Sequence, residues 1–255
     1  VGNIGYRELA GRLRDAIRHG HFPEGGTLPK QDEIAAQYGV NVNTVREAVG
    51  LLEAEGLVTS IRRRGTVVRP RVQMKRLGAE RYAKSKWKFG IVAFGADREA
   101  SGLEWRPSDQ TTVVRTVEAD AEVADALDVP VGSTVYERSR LVTEKGQPTH
   151  TLTSYYRPED IDGTPLVESG IGPAGRGGGF MVLTLQGLEP DSITETLSSR
   201  MPTPEEVETL KLLPGEPVMV LQRMTSTKDG RVVEFARGVH AASRFAWTYT
   251  FKVPD

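Results

Sequence analysis

The stretch QDEIAAQYGVNVNTVREAVGLLEAEGLV, Gln31 to Val58, constrains this chain most, because it holds two amphipathic helical repeats separated by one short turn. In the first, Ile34, Ala35 and Tyr38 recur at helical spacing and Gly39 follows, the residue best able to take the left-handed backbone that ends a helix. In the second, which runs to about Glu55, Val45, Ala48, Val49 and Leu52 form the core stripe. Asn43, Arg46, Glu47 and Gly50 then fall on the outward face. Asn41 or Asn43 can cap this helix, since a side-chain oxygen there accepts an otherwise unpaired backbone N–H. Helix, tight turn, helix is the geometry that holds one helix across a phosphate backbone while the next lies in a major groove.

The flanking sequence narrows this reading. YRELAGRLRDAIRHG places Tyr6, Leu9, Leu13 and Ile17 on one face of an earlier helix, which Gly20 and Pro23 stop. After Gly56, LVTSI and TVV alternate as short strands around RRRG, a hairpin with Arg62, Arg63 and Arg64 at its tip. A third helix before the motif and a hairpin after it predict the winged form. Charge agrees: Val1 to Gly90 carries 17 Lys and Arg against 9 Asp and Glu, and the remainder 16 against 25. A basic piece joined to an acidic one fits a nucleic-acid contact coupled to a separate module.

From Arg69 to about Lys88 the chain is basic with no clear apolar stripe, which predicts a linker over 71–88 between a first domain at 1–70 and a second at 89–255. The second half reads as strands, TTVVRTVEA, STVYERSRLVTEKGQPTHTLTSYY, EPVMVLQRMTSTKDGRVVEFARGVH and FAWTYTFKV, with turns at Lys145-Gly146 and Asp229-Gly230. DAEVADALDV and PTPEEVETLKLL predict short helices, the latter capped by Thr203. The fold class is α+β. Two pieces, ADALDVPVGSTVYERSRLVTEKGQP and VETLKLLPGEPVMVLQRMTSTKDGR, each run helix, Pro-Gly turn, strand, Gly turn, a weak internal duplication.

The residues TLPKQDEIAAQYGVNVNTVREAVGLLEAEGLV and RRRGTVV resemble the DNA-binding domain of the GntR family of bacterial transcription regulators. The second half, in VYERSRLVTEKGQP, TSYYRPED and KLLPGEPVMVLQRMTSTKDGRVVEF, is similar to the UTRA effector domain of the family's HutC branch, which has a chorismate-lyase-like mixed α/β fold. The resemblance implies a dimeric repressor that binds double-stranded operator DNA and is released by a small anionic effector. It puts Asn41, Asn43, Thr44 and Arg46 at the operator, with Arg64 and Gly65 at the wing; Lys30, and Arg62 and Arg63 at the hairpin tip, are further DNA-binding candidates. A guanidinium at Arg46 can bond guanine O6 and N7 or clamp a phosphate. Glu47 is expected to pair with a neighbouring arginine instead. For the effector, Arg138 and Arg140 share one strand face by the period-two rule, and the resemblance adds Tyr155 and Glu234.

Other classes fit less well. The absence of cysteine excludes disulfides and thiolate chemistry, the longest apolar runs are too short to cross a bilayer, and no leader pattern is present, so a cytoplasmic protein is expected. GRGGGF lacks the preceding strand and closing Lys-Ser/Thr of a phosphate loop and reads as a mobile loop over 172–179. His19, His21, His150 and His240 show no helical metal pair, so neither metal nor cofactor is expected. No nucleophile and base pair stands at catalytic spacing, which argues against an enzyme. A non-inducible plasmid-type repressor, whose second domain only dimerises, is the alternative.

Overall fold

A computed structural model describes residues 4–69 and 74–251. The chain divides into two compact units, Val1–Val72 with Leu213–Glu216, and Gln73–Leu212 with Pro217–Asp255.

Among its described residues the first unit has three helices, α1 (Tyr6–Arg18), α2 (Gln31–Tyr38) and α3 (Val42–Ala54), followed by strands β1 (Val58–Ile61) and β2 (Gly65–Val68) paired as an antiparallel hairpin. Its core joins Leu9 and Leu13 of α1, Ile34 of α2, and Val45, Val49 and Leu52 of α3 to Leu28, Val58 and Val68. Gly39 ends α2 at φ 65°, as the sequence requires. The connector before α2 lies along the hairpin, with Leu28 N–H donating to Thr66 O at 2.8 Å.

The second unit begins with β3 (Met74–Leu77), a short 3₁₀ turn at Ala79–Tyr82, α4 (Lys84–Lys88) and α5 (Ala93–Ala100). Residues 74–88 therefore form a strand and helices rather than the expected linker, whose residues 71–73 lie outside the described ones. After these come β4 (Gln110–Glu118), α6 (Ala121–Leu127), β5 (Thr134–Glu144), β6 (Gln147–Tyr156), α7 (Pro158–Ile161), β7 (Gly170–Ile171) and α8 (Gly178–Leu185). The unit continues through β8 (Ser192–Arg200), α9 (Pro204–Leu210), β9 (Val218–Ser226), β10 (Val232–Ala241) and β11 (Phe245–Thr248). Seven strands form one antiparallel sheet in the order β7-β4-β5-β6-β10-β9-β8, while β11 pairs in parallel with β3.

The duplication shows in this arrangement, since α6-β5-β6 and α9-β9-β10 are both helix and hairpin, and β6 pairs antiparallel with β10 at the centre. Each helix packs on the other copy's hairpin, α6 on β10 and α9 on β6. Thr203 caps α9: its Oγ accepts from Glu206 N–H at 3.3 Å, and Glu206 accepts from Thr203 N–H at 2.9 Å. GRGGGF is not a mobile loop throughout, because Gly178 opens α8 and Phe180 of that helix is buried. Phe180 meets Trp87 of α4 edge-on, with ring centroids 5.4 Å apart.

Candidate functional sites

The outward face of α3 is built from its first turn. Asn41 caps the helix, its Oδ1 accepting from Thr44 N–H at 2.8 Å and from the Thr44 hydroxyl at 3.1 Å. One turn on, Arg46 Nη1 donates to Asn43 Oδ1 at 3.1 Å. Asn43, Arg46, Glu47 and Gly50 are all exposed, while Val45, Ala48 and Val49 between them are buried, so the face is polar and unobstructed within this unit. The Lys30 side chain is exposed where α2 begins, and its backbone N–H donates to Glu33 at 2.9 Å.

At the hairpin tip Arg62, Arg63, Arg64 and Gly65 are exposed. Arg63 takes φ 67°, a left-handed turn conformation that is costly for a non-glycine residue. Arg64 Nη2 donates to Gly25 O at 2.9 Å, so this arginine braces the hairpin against the connector while Arg62 and Arg63 face outward.

The second unit holds a cavity of about 90 Å³ over one face of the sheet. Strand alternation selects its floor: Arg138, Ser154, Ala236 and Arg223 are successive cross-strand partners on β5, β6, β10 and β9. Arg140 and Arg138 line the cavity from the same strand face, joined by Arg223, Arg76 and Arg81. Arg138 is buried, with Nη1 donating to Leu166 O at 3.1 Å and Glu168 O at 2.9 Å. Burial and the neighbouring Arg140 lower its pKa to about 10. Arg140 donates to Leu152 O at 3.2 Å and to the Ser154 hydroxyl.

One buried carboxylate organises this floor. Glu234 Oε1 accepts from Ser154 Oγ at 2.6 Å and Tyr156 OH at 2.8 Å; Oε2 accepts from Arg223 Nη2 at 2.8 Å and Thr225 Oγ1 at 3.1 Å. Arg140 stands 4.0 Å away. Burial by itself would raise this carboxyl, but Arg223, Arg140 and the Ser154 and Tyr156 hydroxyls outweigh burial and hold it at about 2. The same surroundings push the Tyr156 hydroxyl up, through burial and the Glu234 charge. Beside the cavity His150 and His240 stack at 4.6 Å with nearly parallel rings, and burial holds both well below the usual imidazole pKa.

Residues 5–68 match the family of bacterial regulatory proteins of the gntR type, and residues 104–246 match the UTRA domain. The chain belongs to the GntR family. It is a transcriptional regulator with a DNA-binding helix-turn-helix and a UTRA effector domain, and the families and relatives it matches are regulators rather than enzymes. An uncharacterized HTH-type transcriptional regulator of Streptomyces coelicolor is 53% identical and aligns with 98% of this chain and 93% of its own. The HTH-type transcriptional repressor NagR of Bacillus subtilis is 22% identical over 96% of this chain and 93% of NagR. Among solved structures, a GntR-family transcriptional regulator is 27% identical with a TM-score of 0.62 over 98% of both chains. PhnF from Mycobacterium smegmatis, 21% identical with a TM-score of 0.57 over 96% of this chain and all of PhnF, shares the fold. Among the described residues no helix is long and apolar enough to cross a membrane.

Within this GntR regulator two of three expected placements differ from the sequence reading. Tyr155 does not line the cavity; it lies on the opposite sheet face, packed with Phe235 and donating to Glu137 at 3.2 Å, and the tyrosine at the cavity is Tyr156. Glu234 does line it, with protein donors on both of its oxygens. Glu47 pairs with no arginine among the described residues; the ion pair near the end of α3 is Arg14 with Glu55, at 2.7 Å. Sequence reasoning does not reach Arg76, Arg81 or Arg223. A signal for Arg223 exists, because it follows Leu221 at period two on a strand that the sequence does reveal.

Proposed function

We propose that this regulator is a dimeric repressor whose grip on operator DNA is relaxed when a small anionic effector enters the arginine-lined cavity. The observation that carries this reading is the charge of that cavity: among the described residues five guanidiniums line it, against the single lining carboxylate of Glu234. So many cations are held away from water at a cost in desolvation, and an anionic occupant offsets part of it. On the DNA side, Asn43 and Arg46 on the open face of α3 are the base-reading candidates, and Lys30, Asn41, Thr44, Arg62, Arg63 and Gly65 supply phosphate and groove contacts. Arg64, braced on Gly25, contributes chiefly by shaping the wing. A dimer follows from the reading range of one helix, since two heads on a palindrome supply affinity and specificity together.

The test has two steps. Duplexes selected by the protein from a random pool give the operator, and small anions are then screened for a raised melting temperature together with weakened operator binding. An effector at 100 times its Kd stabilises the protein by about 2.7 kcal/mol. If no anion does both, the second unit serves dimerisation alone. Arg46→Ala is expected to weaken operator binding by about 1–3 kcal/mol with unchanged thermal stability, because the side chain is exposed and among the described residues bonds only Asn43. Equal affinity of variant and parent in a gel-shift titration would remove Arg46 from the interface.

A further inference from the structure

The segment from β3 to α5 lies outside both matched ranges, 5–68 and 104–246, yet it closes one side of the cavity. It brings Arg76, Arg81, Val92, Ala93 and Phe94 to the lining. Each of the four lining arginines other than Arg81 makes two hydrogen bonds to the protein: Arg138 to the carbonyls of Leu166 and Glu168, Arg140 to Leu152 O and Ser154, Arg223 to Glu234 and Tyr82, Arg76 to Glu195 and Tyr82, although Arg76 Nε and Arg223 Nε are also buried without a partner among the described residues.

Arg81 differs. Its Nη2 sits 2.9 Å from Asp97 Oδ2 and its guanidinium lies over the Tyr82 ring at 4.9 Å. Its Nε and Nη1 are both buried with no hydrogen-bond partner among the described residues, although the whole side chain is only 4% exposed. A buried N–H without an acceptor is disfavoured, so two on one cation mark a place built for an acceptor. Asp97 fixes Arg81 there, since the same carboxylate also accepts from Leu77 N–H at 3.0 Å and so ties β3, the 3₁₀ turn and α5 together. Burial pushes the Asp97 carboxyl upward, and Arg76 and the Leu77 N–H oppose that shift. Counting Asp97 and Glu195 with Glu234 gives three carboxylates for five guanidiniums, and burial keeps His150 neutral. Because burial pushes the Asp97 carboxyl up to about 7, at least two positive charges are left over among the described residues.

We propose that Arg81 is a ligand contact, presenting Nε and Nη1 to a small dianion that Arg140 meets from the sheet. This rests on the anionic-effector reading above and adds to it the charge of the ligand and a determinant from outside the matched UTRA range. A phosphate and a dicarboxylate share this chemistry, and the test separates them.

Calorimetric titration of the full chain with inorganic phosphate, and separately with malonate, is run on the parent, Arg81→Gln, Arg81→Lys and Arg140→Ala. Because Arg81→Gln strands Asp97 without its counter-charge, the double variant Arg81→Gln/Asp97→Asn, which neutralises the pair together, decides the matter if the single variant fails to fold. The expected result is binding of one dianion by the parent and weakening by tenfold or more in Arg81→Gln and in the double variant. Arg81→Lys should recover part of the loss, as restored charge does and restored packing alone does not. If the Arg81 variants bind within twofold of the parent while Arg140→Ala does not bind, the cavity takes its anion without Arg81 and the proposal is overturned. If the parent binds neither dianion at millimolar concentration, the anionic reading of the cavity falls, and the role of Arg81 with it.

Discussion

Glu234→Gln is expected to cost roughly 3–5 kcal/mol of unfolding free energy at pH 7, because it removes one partner of a buried pair and leaves Arg223 uncompensated. Glu234 is 2% exposed and bonds four donors, so no water can take over its role. The same residue sets a pH dependence. Its folded pKa, about 2, lies below the ordinary carboxylate value of 4.5, so its contribution is complete above about pH 5 and is lost as pH falls towards 2. A difference of that size is worth on the order of 3 kcal/mol. Urea titrations of parent and variant at pH 7 and pH 3 read both effects. The parent should lose much of its advantage over the variant at the lower pH, and equal stability at pH 7 would show that the carboxylate does not organise the cavity floor.

Gly177→Ala should cost roughly 2–4 kcal/mol. Gly177 precedes α8 at φ 80°, and a Cβ there would stand 2.2 Å from the Trp87 carbonyl oxygen and 2.8 Å from the Met181 Cβ. The backbone conformation and the space are both reserved for glycine. Gly187, at φ 78° with open space where a Cβ would stand, separates the two causes. Gly187→Ala should cost only the backbone strain, about 1–2 kcal/mol. Thermal melts giving the two variants the same loss would show that α8 can move away from α4 without penalty.

Glu234 and Gly177 also mark where the sequence is readable and where it is not. The first unit is legible almost throughout, because each helix carries its own apolar stripe, stop signal or cap, as Gly39 and Asn41 show. The second unit is legible where strands alternate between apolar and polar. It is opaque where polar residues face inward. β3 reads as basic linker because one of its two buried side chains is Arg76, whose burial depends on Glu195 more than a hundred residues away. β8 escapes notice because it is an edge strand with little buried surface, and its residues alternate between half-buried and exposed. GRGGGF looks like a loop because glycine composition signals flexibility, while close packing against Trp87 cannot be seen without the fold.

The cavity shows the same limit on a finer scale. Arg138 and Arg140 do share a face, since alternation is local. Tyr155 is expected where Tyr156 stands, because a register error of one residue turns a side chain to the other side of the sheet. Arg81 lies in a 3₁₀ turn with no periodicity to expose it.

An anion at the buried arginines should be felt at the DNA-binding helix. Fluorescence anisotropy of the selected operator duplex tests this most directly, titrated with parent and with Arg140→Ala, each with and without the anion found to stabilise the parent. The parent should bind DNA about 5- to 150-fold more weakly when the anion is present, the usual size of a coupling of 1–3 kcal/mol. Arg140→Ala should bind anion-free DNA like the parent and ignore the anion. A variant that still releases DNA at the parent's anion concentration would contradict the account and place the controlling site away from these arginines.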